Sequence, residues 1–111
     1  MNVGQMTTRP KYSGPERRIH KILVTRNTEY HLRAQECVAV RDITSGAWRH
    51  NHKALGTTLR GSLVSTSAGG YRFSEGCPEP GHRLYFSNDV YTSPVHTICR
   101  PERYIVDCYR N

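Results

Sequence analysis

The sequence contains no long apolar run. No stretch approaches the roughly 20 consecutive apolar residues that a membrane-spanning helix needs. The start of the chain, MNVGQMTTRPKYSGPERR, also lacks the apolar segment that follows the positive charges of a secretory signal. We therefore expect no membrane partner and a cytoplasmic location for this protein of 111 residues.

The four cysteines include no CxxC pair, so free and partly buried thiols are the default expectation. One spacing leaves an alternative open, because each of two short segments offers a cysteine and a histidine. A tetrahedral zinc site would then be formed by Cys77, His82, His96 and Cys99. The order and gaps of these residues match no zinc pattern, so the sequence favours no metal and no cofactor.

The spacing of a catalytic site is absent as well. Six histidines and four cysteines supply candidate bases and nucleophiles. Nothing in their spacing assembles a triad, a carboxylate pair or a glycine-rich phosphate cradle. Only nine acidic residues are spread over the chain, which leaves few candidates to orient a histidine. We therefore expect a protein that is not an enzyme.

In place of helix-length amphipathic patterns the sequence shows period-two alternation, which is typical of strands. Residues 20–41 predict an antiparallel meander, with Tyr30 and Leu32 on one face and Val38 and Val40 on another shared face. Further strands are predicted at 58–65, 71–73, 82–86, 90–98 and 104–109. Pro94 restricts its strand to a sheet edge or a break.

These patterns predict an all-β domain at 18–111 after a polar, flexible arm at 1–17. The expected fold is a small antiparallel barrel or sandwich of about seven or eight short strands. One helix is expected within RDITSGAWRHNHKALG, because Ser45 suits an N-cap and Gly56 a C-cap. We predict one short helix or helical turn near 46–55, packed by Trp48 over one end of the domain.

The net charge of +7 lies entirely in the first half of the chain. Residues 1–61 hold eleven cations against four acids, whereas residues 62–111 hold five of each sign. Thirteen of the sixteen cations are arginines, which suit bidentate contacts with phosphate or carboxylate. The charge therefore favours an anionic partner, either nucleic acid or an acidic protein surface.

A small basic β domain with exposed rings is a common platform for single-stranded nucleic acid. The cations expected to bind it are Arg26, Arg33, Arg41, Arg49, Lys53 and Arg60. The candidate rings are Tyr30, Tyr71, Phe73, Tyr85, Tyr91, Tyr104 and Tyr109. Tyrosine is a favoured strand residue that mostly packs, so we expect at most two or three free rings.

A protein-interaction or structural accessory module is the alternative, either as a homodimer or as a subunit of an assembly. Pro94 on an edge strand and tyrosine-rich faces suit the addition of a partner's strand. The two interpretations differ in salt dependence, because counterion release makes nucleic-acid binding weaken steeply with salt.

Two short motifs, PERRIHK at 15–21 and RDITSGA at 41–47, provide a lesser alternative. Their order in a β domain is similar to that of bacterial PilZ domains, in which RxxxR in a lead-in precedes DxSxxG at a strand end. The resemblance implies binding of a cyclic dinucleotide, cyclic di-GMP, by Arg17, Arg18, Asp42 and Thr44. Lys21 and Ala47 depart from the pattern, since lysine makes no bidentate contact and alanine does not share the conformational freedom of glycine.

Overall fold

The structure, a computed structural model, describes residues 19–109, which form two antiparallel β-sheets. The strands are β1 (His20–Val24), β2 (Thr28–Arg33), β3 (Glu36–Asp42), β4 (Trp48–Arg49), β5 (Leu59–Ser65), β6 (Tyr71–Ser74), β7 (Arg83–Phe86), β8 (Val90–Pro94) and β9 (Thr97–Cys99). They are followed by helix α1 (Arg103–Val106) and a 3-10 turn (Asp107–Tyr109). The arm expected at 1–17 lies outside the described residues, and so do Arg17 and Arg18.

The first sheet has the strand order β9-β1-β2-β3-β4, and the second has the order β6-β5-β7-β8. The all-β class is therefore confirmed, as a sandwich rather than a closed barrel. The nine strands within 19–109 exceed the number expected, because the predicted 90–98 strand divides in two and residues 48–49 form a strand, while the strand predicted at 104–109 is absent. The break follows Pro94, which ends the edge strand β8 as the sequence predicts.

The core lies between the inner faces of the two sheets. Tyr30 and Leu32 both point into it, and their strand pairs in register with β1 and β3 in the expected meander. A bulge in the β2–β3 pairing places Cys37, rather than Val38, opposite Leu32. As a result Cys37 and Val40 are core residues, whereas Val38 is half-buried outside the core cluster. The second sheet contributes Leu59, Leu84 and Phe86.

Backbone hydrogen bonds join the two sheets at one corner. The Leu59 N–H donates to Gln35 O at 2.7 Å, and the Cys37 N–H donates to Thr57 O at 2.9 Å. A single bridge between Glu36 and Thr58 lies between these two bonds. The start of β5 is therefore fixed against the start of β3, which sets how the inner faces meet.

The helix or helical turn expected near 46–55 is wrong as a helix. Residues Trp48–Arg49 form β4, which pairs with β3, and residues 53–56 form hydrogen-bonded turns. Asp42 explains the difference, because its Oδ1 accepts the N–H groups of Thr44 and Ser45 at 2.9 and 3.3 Å. This turn, with Gly46 at φ +74°, reverses the chain before a helix starts.

The strand expected at 104–109 is wrong, since these residues belong to α1 and the 3-10 turn. Glu102 is extended and its carbonyl accepts the N–H groups of Ile105 and Val106, which starts the helix after Pro101. The α1 helix has only four residues. Within 19–109, no helix is long and apolar enough to cross a membrane.

Gly61 in β5 lies directly under the Phe73 ring. A Cβ atom at this position would clash with the Ser74 carbonyl oxygen and come within 2.7 Å of the ring. A Cβ atom fits here only if the backbone of β6 and the Phe73 ring both move. The sheet therefore requires glycine here on steric grounds.

We predict that Gly61→Ala lowers the free energy of unfolding by about 1–3 kcal/mol through overpacking. The matched control is Gly70→Ala, where the nearest atom to an added Cβ would be Thr66 Oγ1 at 3.9 Å. Urea denaturation measures both variants. Equal stability of Gly61→Ala and the wild type would contradict the observed approach of β5 and β6.

Candidate nucleic-acid interface

The outer face of the second sheet carries four aromatic rings. Paired positions in neighbouring strands share a face, and the register pairs Leu63 with Phe73 and Tyr85 with Tyr91. Leu84 and Phe86 alternate with Tyr85 and point into the core. We call the four outward rings the aromatic platform: Tyr71, Phe73, Tyr85 and Tyr91.

Contacts across the strands hold the aromatic platform together. Tyr85 and Tyr91 stack with ring centroids 4.9 Å apart, and Phe73 meets Tyr85 edge-on at 5.9 Å. Tyr71, Phe73 and Tyr91 are 54%, 45% and 57% exposed, so three of the four rings present large areas to solvent. With Tyr104 on α1, which is 65% exposed, four of the seven candidate rings are exposed, one more than the upper limit expected from the sequence.

Two arginines accompany the aromatic platform. The guanidinium of Arg83 lies 5.6 Å from the centre of the Tyr71 ring, and its Nη1 donates to Thr92 O at 3.2 Å. Arg60 follows Leu59 in β5, and its positive charge acts on the Tyr85 hydroxyl. Arg83 was not among the cations selected from the sequence.

The Tyr85 hydroxyl is fixed by an acid on the neighbouring turn. It donates a hydrogen bond to Asp89 Oδ1 at 3.0 Å. This hydrogen bond and the carboxylate charge raise the pKa of Tyr85, so the phenol stays protonated and neutral. The aromatic platform therefore presents uncharged rings at neutral pH.

A cleft of about 380 Å³ opens where the aromatic platform ends at Tyr91. Arg49, Asn51 and Lys53 line it from β4 and the following loop, and the core residue Tyr30 also contributes. Arg49 and Lys53 are both exposed to solvent. We call this feature the basic cleft.

His52 lines the basic cleft, and one hydrogen bond defines which ring nitrogen carries its proton. Its Nδ1 accepts the N–H of Ala54 at 3.0 Å, so the neutral ring carries its proton on Nε2. Burial and the positive charges of Arg49 and Lys53 lower the pKa of His52. His52 is thus a neutral N–H donor at neutral pH.

The six cations selected from the sequence do not form one surface. Arg49 and Lys53 line the basic cleft, and Arg60 lies near Tyr85. Arg26 lies in the connection between β1 and β2, before β2 begins. Arg33 is the last residue of β2, so the two arginines lie at opposite ends of β2. Arg41 is engaged locally, since Nε donates to Gly46 O at 3.0 Å and the guanidinium lies 5.0 Å from the Trp48 ring centre.

The remaining candidate residues are separate from this surface or engaged elsewhere. Asp42 holds the β3–β4 turn, and Thr44 is exposed within that turn. No group of three or more His, Cys, Asp or Glu within 19–109 could hold a metal ion. The structure therefore does not assemble the alternative zinc set of Cys77, His82, His96 and Cys99.

The outer face of the first sheet contains a second aromatic group, built around the fully buried His31. Its Nε2 lies 2.9 Å from Glu29 Oε1, and its Nδ1 lies 2.6 Å from the Tyr109 hydroxyl oxygen. Because a carboxylate accepts, Nε2–H donates to Glu29, and Tyr109 O–H donates to Nδ1. The rings of Trp48 and Tyr109 pack against His31 with centroids 5.1 and 5.2 Å away.

This chain of hydrogen bonds is a structural clamp rather than an accessible site, because it attaches the end of the described chain to the first sheet. We predict that Tyr109→Phe lowers the free energy of unfolding by about 1–3 kcal/mol, because the buried His31 Nδ1 loses its donor. The control is Tyr104→Phe, whose ring is 65% exposed on α1. Urea denaturation in which the two variants are equally stable would contradict the clamp.

A pH dependence follows from the same residue. Burial lowers the pKa of His31 below its ordinary value of 6.5, although the hydrogen bond and charge of Glu29 oppose the shift. The unfolded chain therefore binds a proton more readily than the native protein, so stability is full above pH 6.5 and falls as the pH decreases below it. Thermal unfolding at pH 7.5 and 5.5 should show the lower Tm at pH 5.5, and an equal or higher Tm there would contradict this assignment.

Comparisons with known proteins add no function to this geometry. No protein-family model, curated protein or solved structure matches the chain. The functional assignment therefore depends on the aromatic platform and the basic cleft themselves.

Proposed function

We propose that this protein binds single-stranded nucleic acid on the aromatic platform and catalyses no reaction. The observation that carries the proposal is a face with four rings on β6, β7 and β8, three of them exposed, on which Phe73, Tyr85 and Tyr91 contact one another and Arg83 contacts Tyr71. Rings that stack on bases and cations that contact phosphates are the two components of sequence-tolerant single-strand binding.

The ring geometry supports base stacking. Tyr71 and Phe73 belong to the same strand with one residue between them, so they lie on the same face of β6. Contact with Arg83 and Tyr85 restricts these rings before any ligand binds. Restricted rings lose little side-chain entropy on binding, which improves affinity. Each stacked base contributes about 1–3 kcal/mol in proteins of this kind.

The charge arrangement favours nucleic acid over a neutral protein surface. Arg83 is positioned by both Thr92 O and the Tyr71 ring, so its guanidinium is placed beside an exposed ring. A guanidinium presents a fork of donors that suits phosphate oxygens. The acidic Asp89 next to Tyr85 is engaged by the Tyr85 hydroxyl.

Other properties expected from the sequence stay predictions. These are the cytoplasmic location, the homo-oligomeric state and the alternative role as a protein-interaction module. The cyclic dinucleotide alternative depends partly on Arg17 and Arg18, which lie outside the described residues. Each alternative makes a different prediction for binding experiments at two salt concentrations.

We predict that Tyr71→Ala weakens binding of a fluorescent single-stranded oligonucleotide by about 5- to 150-fold, the equivalent of one stacked base. Fluorescence anisotropy gives the dissociation constants. Tyr104→Ala is the matched control, because Tyr104 is exposed to a similar degree but lies on α1. Equal weakening by both variants would contradict a role specific to the aromatic platform.

Salt dependence tests the charged part of the interface. The logarithm of the binding constant should fall linearly with the logarithm of the salt concentration, and Arg83→Gln should reduce the slope by about 0.7 if one phosphate contact is lost. A salt-insensitive affinity would favour a protein partner instead. Binding of cyclic di-GMP without binding of oligonucleotides would favour the PilZ-like alternative.

A further inference from the structure

The basic cleft differs from the aromatic platform in shape and charge, although Tyr91 belongs to both. The aromatic platform is the face of a sheet, whereas the basic cleft is a concave space of about 380 Å³. This volume is near the lower end of the range of about 300–1,000 Å³ for small-molecule sites. It suits a ligand of the size of a single nucleotide.

The residues lining the basic cleft select for an anion. Arg49 and Lys53 supply two positive charges, and the lining residues among those described include no Asp or Glu. Asn51 and the neutral His52 Nε2–H add donors without adding charge. Protonation of His52 on Nδ1 would remove the hydrogen bond from Ala54, so this hydrogen bond favours the neutral ring.

The basic cleft lies where a nucleic-acid strand bound on the aromatic platform would continue. Tyr91 stacks on Tyr85 within the platform and also lines the cleft. A single nucleic-acid strand whose bases stack along the aromatic platform therefore reaches the basic cleft at Tyr91. There the cleft meets Tyr30, a core residue that is 6% exposed, and His52, which packs edge-on against Tyr30 at 5.6 Å.

A terminal phosphate fits this position better than an internal one. A phosphomonoester at a strand end carries a charge of about −1.5 to −2, whereas an internal diester carries one negative charge. Two neighbouring cations stabilise the more highly charged group more strongly.

We propose that the basic cleft is a subsite for the phosphorylated terminal nucleotide of a single strand, held by Arg49 and Lys53. This inference rests on the proposed function of the aromatic platform. It changes the expected specificity, because the protein would then prefer phosphorylated strand ends over strands with hydroxyl ends.

The test is a competition experiment with one oligonucleotide sequence in three forms: 5′-phosphorylated, 3′-phosphorylated and with hydroxyl groups at both ends. One phosphorylated form should compete about tenfold better than the hydroxyl form, as expected for charge-assisted hydrogen bonds. In Lys53→Gln this ratio should fall towards one, because the phosphorylated form loses more affinity than the hydroxyl form. Arg33→Gln, a matched cation variant at the end of β2, should keep the full ratio.

The outcomes separate this inference from the proposed function. Tyr71→Ala should weaken all three forms equally and keep the ratio, because Tyr71 does not line the basic cleft. Salt-sensitive binding of all forms with equal affinity would overturn the terminal subsite and leave the platform intact. Competition by inorganic phosphate as strong as that by a nucleoside monophosphate would also overturn it, since the nucleoside would then add nothing.

Discussion

The burial of both inner sheet faces against one small core is the constraint on which the other features depend. Only 36% of the residues are hydrophobic, and a sandwich of two sheets concentrates them between the layers. Leu32 and Val40 from one sheet meet Leu84 and Phe86 from the other, all fully buried. Because alternate residues point outward, each strand that supplies the core also supplies an outer face with side chains free to serve another purpose.

The two outer faces are used differently. On the first sheet, His31, Trp48 and Tyr109 form an aromatic group that closes on itself through hydrogen bonds to Glu29 and ring contacts. On the second sheet, the rings contact each other but leave large areas in solvent. A small domain rarely leaves a group of large rings exposed unless the rings bind something. The exposed rings on the second sheet, in contrast to the covered rings on the first, therefore favour a ligand for the exposed face.

Period-two alternation predicted the meander and the strands of the second sheet, because residues such as Tyr30 and Leu32 pack on one side only. It wrongly predicted a strand at 104–109, where the structure has α1 and a 3-10 turn. It failed at 46–55, where the spacing of Trp48 suits a helix but the carboxylate of Asp42 organises a hairpin turn first. It also could not identify the aromatic platform. The alternation pattern is the same for a ring that faces the core and for one that faces solvent. Only the strand order β6-β5-β7-β8 decides which face each ring takes. Arg83 was missed for the same reason.

The pairing of β9 with β1 brings together the two ends of the described chain, with Thr97 opposite Val24. Contacts so distant in sequence carry a large loop-closure entropy and slow the search for the native topology. During synthesis, the first sheet stays one strand short until β9 has left the ribosome. The edge of β1 therefore lacks its β9 partner in every nascent chain that ends before β9, and an unpaired strand edge is a site of association with other chains.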